Sequence, residues 1–362
     1  MTNDQPIRVA HHTISPVHRP FVIAEMSGNH NQSLDRALEI VDAVADAGAH
    51  ALKLQTYTPD TITFNGASEE FYIRDDKSLW ADKNLYKLYQ DAYTPWEWHQ
   101  PIFDHANKRG MVAFSSPFDT TAVDFLESLD VPLYKIASFE NTDHILLKRV
   151  ARTGKPVIMS TGVASVADLD ESVKILRENG CRDLILLKCT STYPATPEST
   201  NLRTIPHLRD LFDVPVGLSD HTMGIGAAVA AVALGAVVLE KHVTLRRADG
   251  GVDSAFSLEP DELKDLVIET ERAWLAMGQV SYVLTSKECK SLQFKRSLYV
   301  VQAMKTGEPF TPGNTRSIRP ANGLHTRHYD DIIGKTATHD IDAGTALEWE
   351  HVSWTAASGK TK

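Results

Sequence analysis

Cysteine is scarce in this chain: Cys181, Cys189 and Cys289 are the only three in 362 residues. They are odd in number, widely spaced and form no CxxC pair, which argues against a disulfide framework or a zinc ribbon and fits a reducing compartment. Long apolar runs are also missing. No stretch reaches about 18 apolar residues, so no transmembrane helix is expected. The first 20 residues carry His11, His12, His18 and Arg19 but not the apolar core of a signal peptide. Positive charge is not in excess, because the net charge is −10. That argues against a general nucleic-acid binder, whose phosphate partner needs a basic face. A small anionic substrate remains open, provided its site is positive locally. The expectation is a cytoplasmic protein with no nucleic-acid and no membrane partner.

What is present is alternation. Short apolar runs at 21–26, 51–55, 111–115, 132–138, 156–160, 184–188, 214–218 and 237–242 read as strands, and amphipathic segments lie between them. Ser33 caps a helix whose apolar face is Leu34, Leu38, Val41 and Ala45 and which Gly48 ends. Another helix runs from Ser165, with Asp168 at the capping-box position, to Gly180. The last runs from Pro260 to Gly278. Eight strands and eight helices over about 260 residues predict an α/β fold, a (β/α)₈ TIM barrel. The alternative is a doubly wound open sheet, weakened because no GxGxxG follows the first strand.

Residues 56–95 break the rhythm with Phe64, Phe71, Tyr72, Trp80, Tyr86 and Tyr89. Loops this long are usually functional. These aromatics form either a rim or lid over the barrel mouth or a patch on the barrel's own helices. After Gly278 the texture changes. The expected layout is a barrel domain over 1–280 with an N-terminal extension at 1–19, then a linker at 281–296. A small β-rich domain over 297–355 and a tail at 356–362 complete it. The small domain has strands near 298–301 and 336–341 and turns at Gly307, Gly313 and Gly344. With so few residues and no disulfide it is marginal alone and is expected to lean on a partner surface.

Catalytic groups of a TIM barrel sit at the C-terminal strand ends, and here those ends are polar. They carry Glu25, Asn29 and His30; Lys53 and Gln55; Ser116; Lys135, Ser138 and Glu140; Ser160; Ser191 and Tyr193; Ser219, Asp220 and His221; Glu240 and His242. Each alone has a plain explanation: a serine that caps a helix, a lysine in a salt bridge, a structural histidine. Together, hydroxyls around two lysines suit a phosphate. His221 and His242 follow neighbouring strands about 4.8 Å apart, close enough to share a metal with open positions left for water and substrate. Their spacing is not a diagnostic zinc motif, so the metal stays open on spacing alone. Glu140 is placed to move a proton to or from water, or else to cap the following helix.

The segments IAEMSGNHNQS, LKLQTYTPDT, FSSPFD, YKIASFENTD, STG, KCTSTYPA, GLSDHTMGIG and LEKHVTL, in this order over residues 20–352, resemble the sialic acid synthase family. SIRPANGL resembles that family's antifreeze-like (SAF) domain. YTPWEWH, SFENTD and RADGGVDSAFSLEPDE are similar to the branch that makes pseudaminic acid rather than N-acetylneuraminate. The resemblance implies a transferase that condenses phosphoenolpyruvate with an N-acetylated amino sugar, 2,4-diacetamido-2,4,6-trideoxy-L-altrose in this branch. It implies His221 and His242 as ligands of a divalent metal, Mn²⁺ first and Mg²⁺ or Co²⁺ as alternatives. Ser116, Lys135, Ser138, Ser160, Ser191 and Ser219 would hold the phosphate, with Lys53 and Gln55 nearby. Glu140 would do acid/base work. Glu25, Tyr193 and Asp253 would face the sugar, and Arg319 would reach the acetamido group from the partner subunit of a domain-swapped homodimer.

Three departures separate the chain from neuraminate synthases. Ser116 replaces threonine, Ser191 replaces asparagine, and RADGGVD replaces a proline-bearing stretch, which implies a differently shaped sugar pocket. Legionaminate and N-acetylneuraminate synthesis are the nearest alternatives. More distant ones are a Schiff-base aldolase using Lys53 or Lys135 and a non-catalytic sugar- or ice-binding protein.

Overall fold

The first two described strands stand outside the barrel sheet. In the computed structural model, which describes residues 5–75 and 79–354, β1 (Ile7–Val9) and β2 (His12–Ile14) form an antiparallel hairpin that pairs Ile7 with Ile14 and Val9 with His12. Eight parallel strands follow: β3 (Phe21–Glu25), β4 (Ala51–Thr56), β5 (Val112–Pro117), β6 (Tyr134–Ile136), β7 (Val157–Ser160), β8 (Leu184–Cys189), β9 (Val216–Asp220) and β10 (Val238–His242). They pair in sequence order, and β10 closes on β3. This is the expected closed barrel, not the open sheet.

The strands are buried on both faces, and their two faces have different partners. Outward residues such as Val22, Ala24, Leu52, Leu54 and Leu239 join the helices in the large core. Phe21, Ile23, Ala51, Val112, Phe114, Leu133, Ile158 and Val238 form a separate inner cluster, to which the hairpin adds Ile7, Val9 and Ile14. Ile7, Val9 and Ile14, in the segment read as an extension, therefore supply part of the barrel's own core. Alternation carries each inward row from apolar to polar in chain order. Phe21 and Ile23 lead to Glu25, Ala51 to Lys53 and Gln55, Phe114 to Ser116, and Val238 to Glu240 and His242. At Gly217 a Cβ would lie 2.2 Å from the Val238 carbonyl oxygen, so only glycine fits that crossing.

Two local expectations change. The first helix is Leu34–Asp46, with Ser33 accepting from the Arg36 N–H as expected, but its buried stripe is Ala37, Ile40, Val41 and Val44. Leu34, Leu38 and Ala45 flank it, only partly buried; the stripe is broad, and the curvature of the sheet beneath decides its centre. The strand expected over 132–138 shrinks to β6. Pro132 has no N–H for the ladder, and at Ser138 the chain turns into the 3₁₀ segment Ser138–Glu140. Helix Val166–Glu178 has the Ser165–Asp168 capping box, and helix Pro260–Met277 follows Glu259.

The described fold divides into two units, 1–278 and 279–362. The second pairs β11 (Ser297–Val300) with β12 (Thr315–Ile318) and β13 (Thr336–Ala337) with β14 (Val352–Ser353). Leu298, Val300, Phe310, Ile332 and Leu347 make a core of its own. Residues 281–296, expected as a linker, contain the short helix Ser286–Ser291, capped by Thr285. The expected tail at 356–362 lies outside the described residues.

Candidate active site

The polar half of the barrel interior opens into a cavity of about 1360 Å³, counting space open to solvent. Lys53, Gln55, Lys135, Ser138, Glu140, Ser160, Tyr193, Ser219, His221, His242 and Asp253 line it. Glu25 and Ser116 are not among the lining residues but both contact Lys53, and Ser191 lies beside Ser138. Arg319 belongs to the second unit, is exposed just past β12 and is not among the lining residues.

The floor is a charge network made by strand register. Glu25 stands opposite Lys53, and Glu240 opposite Ser219. The Lys53 ammonium contacts the Glu25 carboxylate, donates to Ser116 Oγ at 3.2 Å and lies 3.9 Å from Glu240. The Lys135 ammonium donates to Ser160 Oγ at 2.7 Å and lies 3.6 Å from Glu240, which also accepts from Ser219 Oγ at 3.1 Å. Burial lowers the Lys53 pKa, but Glu240 and Glu25 outweigh it and hold the ammonium above its ordinary value. Burial leaves Lys135 below its ordinary value despite Glu240. Burial pushes Glu240 up, and the two lysines more than reverse this. Glu240 thus bridges two cations that would otherwise repel. It stands two residues before His242 on the same strand face; that alternation places it at the mouth, but the sequence assigned it no role.

Gly162 shapes one wall. A Cβ there would lie 2.1 Å from Ser191 Oγ and 2.7 Å from Ser138 Oγ, so the bare backbone makes room for both hydroxyls. Asn141, missed from sequence, pins this turn by donating to the Ser160 and Gly162 carbonyls at 3.2 and 2.9 Å. Glu140 sits at the edge with Oε2 buried and unpartnered. Burial, partly offset by Lys135, raises its pKa to about 7, which suits a group that exchanges protons near neutral pH.

His221 and His242 face each other with ring centroids 5.4 Å apart. His221 Nδ1 donates to the Thr190 carbonyl at 3.0 Å, leaving the Nε2 lone pair free. His242 is held neutral by burial first and by the nearby cations after it, as a metal ligand must be. Its Nδ1 is buried without a hydrogen bond, 3.7 Å from the Asp253 carboxylate. Asp253 accepts from the Ser27 hydroxyl. Among the described residues no cluster of three or more His, Cys, Asp or Glu could hold an ion. His221 and His242 are thus the two imidazoles this mouth could offer a metal, whose other ligands would have to come from water and substrate.

The connection over 56–95 forms the rim. Tyr57, Ile62, Ile73, Trp80, Leu85, Leu88 and Tyr89 line the cavity, and Trp80 Nε1 donates to the Val252 carbonyl at 3.0 Å, tying the rim to the GGVD loop. Of the two readings the rim holds for these residues; Phe64 and Phe71 pack on each other outside, with Phe64 69 % exposed.

Comparison with known proteins agrees with this architecture. Residues 40–282 match the NeuB family and residues 295–353 the SAF domain. The pseudaminic acid synthase of Campylobacter jejuni subsp. jejuni serotype O:2 is 45% identical over 91% of this chain and 95% of its own length. That of Helicobacter pylori is 40% identical over 92% and 98%. The crystal structure of N-acetylneuraminic acid synthetase from Leptospira borgpetersenii serovar Hardjo-bovis, in complex with citrate, superposes with a TM-score of 0.71 at 31% identity, covering 80% of this chain and 96% of that one. A closed barrel with two lysines, a serine ring and paired histidines at its mouth, followed by an SAF domain, makes this chain a member of the NeuB family.

Proposed function

We propose that this chain is a pseudaminic acid synthase: it condenses phosphoenolpyruvate with 2,4-diacetamido-2,4,6-trideoxy-L-altrose and releases phosphate. The observation that carries the reading is the floor of the cavity, where Lys53 and Lys135 stand among Ser116, Ser160 and Ser219. A phosphate entering there replaces Glu240 as the partner of both ammonium groups. Ser138 and Ser191, around Gly162, complete the cradle, and Gln55 reaches it from β4. The substrate assignment rests on the pseudaminic acid synthases of Campylobacter and Helicobacter. The apolar rim of Ile62, Ile73, Leu85 and Leu88 suits a deoxygenated sugar.

When bound at His221 and His242, a divalent ion supplies a Lewis acid to the sugar's aldehyde oxygen. The chain's own residues do the rest. The phosphate cradle holds C3 of phosphoenolpyruvate toward the aldehyde carbon, with Tyr193 and Asp253 orienting the sugar and Glu25 setting the position of Lys53. As the C3–carbon bond forms, positive charge develops at C2. The aldehyde π pair moves to its oxygen, water adds at C2 and gives one proton to Glu140, which passes it to that alkoxide, and the C2–O bond then breaks so that phosphate leaves with both electrons of that bond and with the remaining hydroxyl proton, leaving C2 as the ketone. Lys53 and Lys135 offset the charge on the departing phosphate. Metal removal with EDTA is expected to abolish turnover, with Mn²⁺ restoring it better than Mg²⁺ or Co²⁺. Turnover that survives chelation, or a lysine trapped by borohydride with a keto-acid, would move the reading to an aldolase.

The assembly is read as a domain-swapped homodimer in which Arg319 reaches the acetamido group of a sugar in the partner's barrel. Val280, Tyr282 and Val283, 83–97% exposed, offer an apolar stretch for a second copy to cover. Mixing Arg319→Ala with a Lys135→Met chain is then expected to regenerate activity that neither has alone; a monomer in dilute solution, or no rescue, counts against the swap. The free thiols fit a cytoplasmic location. The deciding experiment measures phosphate release with three sugars: the diacetamido-trideoxy-L-altrose, its D-mannose counterpart and N-acetylmannosamine. Release with the altrose sugar alone supports the reading. Release with another keeps the chemistry and changes the product to legionaminate or N-acetylneuraminate.

A further inference from the structure

The opposite end of the barrel holds a second cluster of titratable side chains, about which the condensation says nothing. An open cleft of about 550 Å³ is bordered by His11, His12, His18, Arg19 and His50 beside Phe21. His50, 7% exposed, directly precedes β4. Its Nδ1 accepts the Val22 backbone N–H at 3.0 Å. With that lone pair engaged, the proton of the neutral ring resides on Nε2. This Nε2–H is buried and has no acceptor, and His12 Nε2 is buried and unpartnered as well. The ring cannot turn freely: Phe21 stacks on it at 5.5 Å and 26°, and His12 meets it edge-on at 5.4 Å.

The charges around this donor have one sign. Burial, then His11 and Arg19, push the His12 pKa down. Burial, then Arg19 and His12, push that of His50 down to about 4. No carboxylate borders the cleft among the described residues, although the chain carries a net charge of −10. An unpaired buried donor beside a guanidinium favours an acceptor with negative charge. His50 offers no lone pair to a metal ion, since one nitrogen accepts a hydrogen bond and the other bears a proton, and no group of three His, Cys, Asp or Glu among the described residues could hold one.

We infer that this cleft is a binding site for a small tetrahedral oxyanion, held by the His50 Nε2–H, by His12 and by the Arg19 guanidinium. The ligand would tie the hairpin segment carrying His12 to the starts of β3 and β4. Its binding tightens as pH falls, because the anion offsets the burial and, after it, the cationic repulsion that lower the His12 pKa.

The probe is inorganic sulfate, whose charge is constant over the range used, titrated into full-length protein labelled with ¹⁵N-histidine. Before addition His50 is expected as the Nε2–H tautomer. Sulfate then shifts the His50 and His12 ring signals saturably, and more tightly at pH 6 than at pH 8. Reading these two rings separates the cleft from any sulfate held at the barrel mouth, which His221 and His242 would report. Arg19→Gln, a change at an exposed side chain, is expected to weaken the response about tenfold by removing a charge-assisted contact. An Nδ1–H tautomer at His50, a response that never saturates, an unchanged response in Arg19→Gln, or Ni²⁺ moving the His50 signals would each overturn the assignment.

Discussion

The two halves of the barrel interior are built from the same strands yet serve opposite ends. Toward the strand N-termini, Phe21, Ile23, Val112, Phe114 and Val238 pack with the hairpin's Ile7, Val9 and Ile14 into a dry plug. One or two pleats further along, the inward residues are Glu25, Lys53, Lys135 and Glu240, all buried. The apolar half stabilises by removing area from water. The charged half contributes little net stability, because desolvation offsets most of the attraction within it. The contrast shows where a barrel can carry buried charge: next to a half that supplies the packing.

The sharpest way to break the comparison is to remove one charge from the upper half. Lys135→Met is expected to lower kcat by about a thousandfold, because a preorganised cation facing the phosphate is lost. Its fold should survive, since Glu240 keeps Lys53 at 3.9 Å and the Ser219 hydroxyl. Steady-state kinetics beside a thermal melt separates the two effects.

Glu140→Gln comes next, with kcat expected to fall about a hundredfold. Burial first, against Lys135, places the Glu140 pKa at about 7, above that of an unfolded chain, so the native state binds the extra proton. Stability from this group is therefore complete at pH 4 and lost as pH rises toward and through 7. Glutamine lacks that loss and is expected to be more stable than wild type by about 1–3 kcal/mol at pH 8 but not at pH 4. Wild-type activity should fall as pH drops below about 7, where the carboxylate becomes protonated, and this limb should vanish in the variant. Denaturant melts at both pH values and a pH–rate profile check the two halves of the prediction.

The mirror experiment is Phe114→Ala in the dry half. A cavity beneath the site is expected to cost about 3–5 kcal/mol of stability. The smallest effect in the series is on chemistry: although Phe114 stands opposite Lys53 in the β4–β5 ladder, kcat per folded molecule should change by less than about tenfold, because Lys53 keeps its contacts with Glu25 and Ser116. A large loss of kcat would show that the two halves are not separable.

Much of this contrast could be read along the chain, because alternation is a one-dimensional pattern. Ile23 to Glu25 and Val238 to Glu240 to His242 declare in letters that one strand face turns polar toward its end, and a ring of such ends declares a mouth. The hairpin at 7–14 was not legible in the same way. Three-residue strands carry too little period, and their apolar residues make sense only against a barrel bottom that is remote in sequence. The partial burial of Leu34 and Leu38 was hidden for a similar reason: the face a helix buries is chosen by the surface beneath it.

The sequence by itself determined the barrel, its order of strands, the polar mouth and the pair of histidines, since local periodicity and residue type at strand ends suffice for these. Only the tertiary structure decided that Glu240 stands between Lys53 and Lys135, that Gly162 makes room for Ser138 and Ser191, that residues such as Tyr57, Trp80 and Tyr89 of the 56–95 connection wall the cavity, and that His50, its Nε2 buried and unpartnered, borders a cleft with three other histidines and Arg19. These depend on register between strands and on burial, which set distances and proton positions that no single strand encodes.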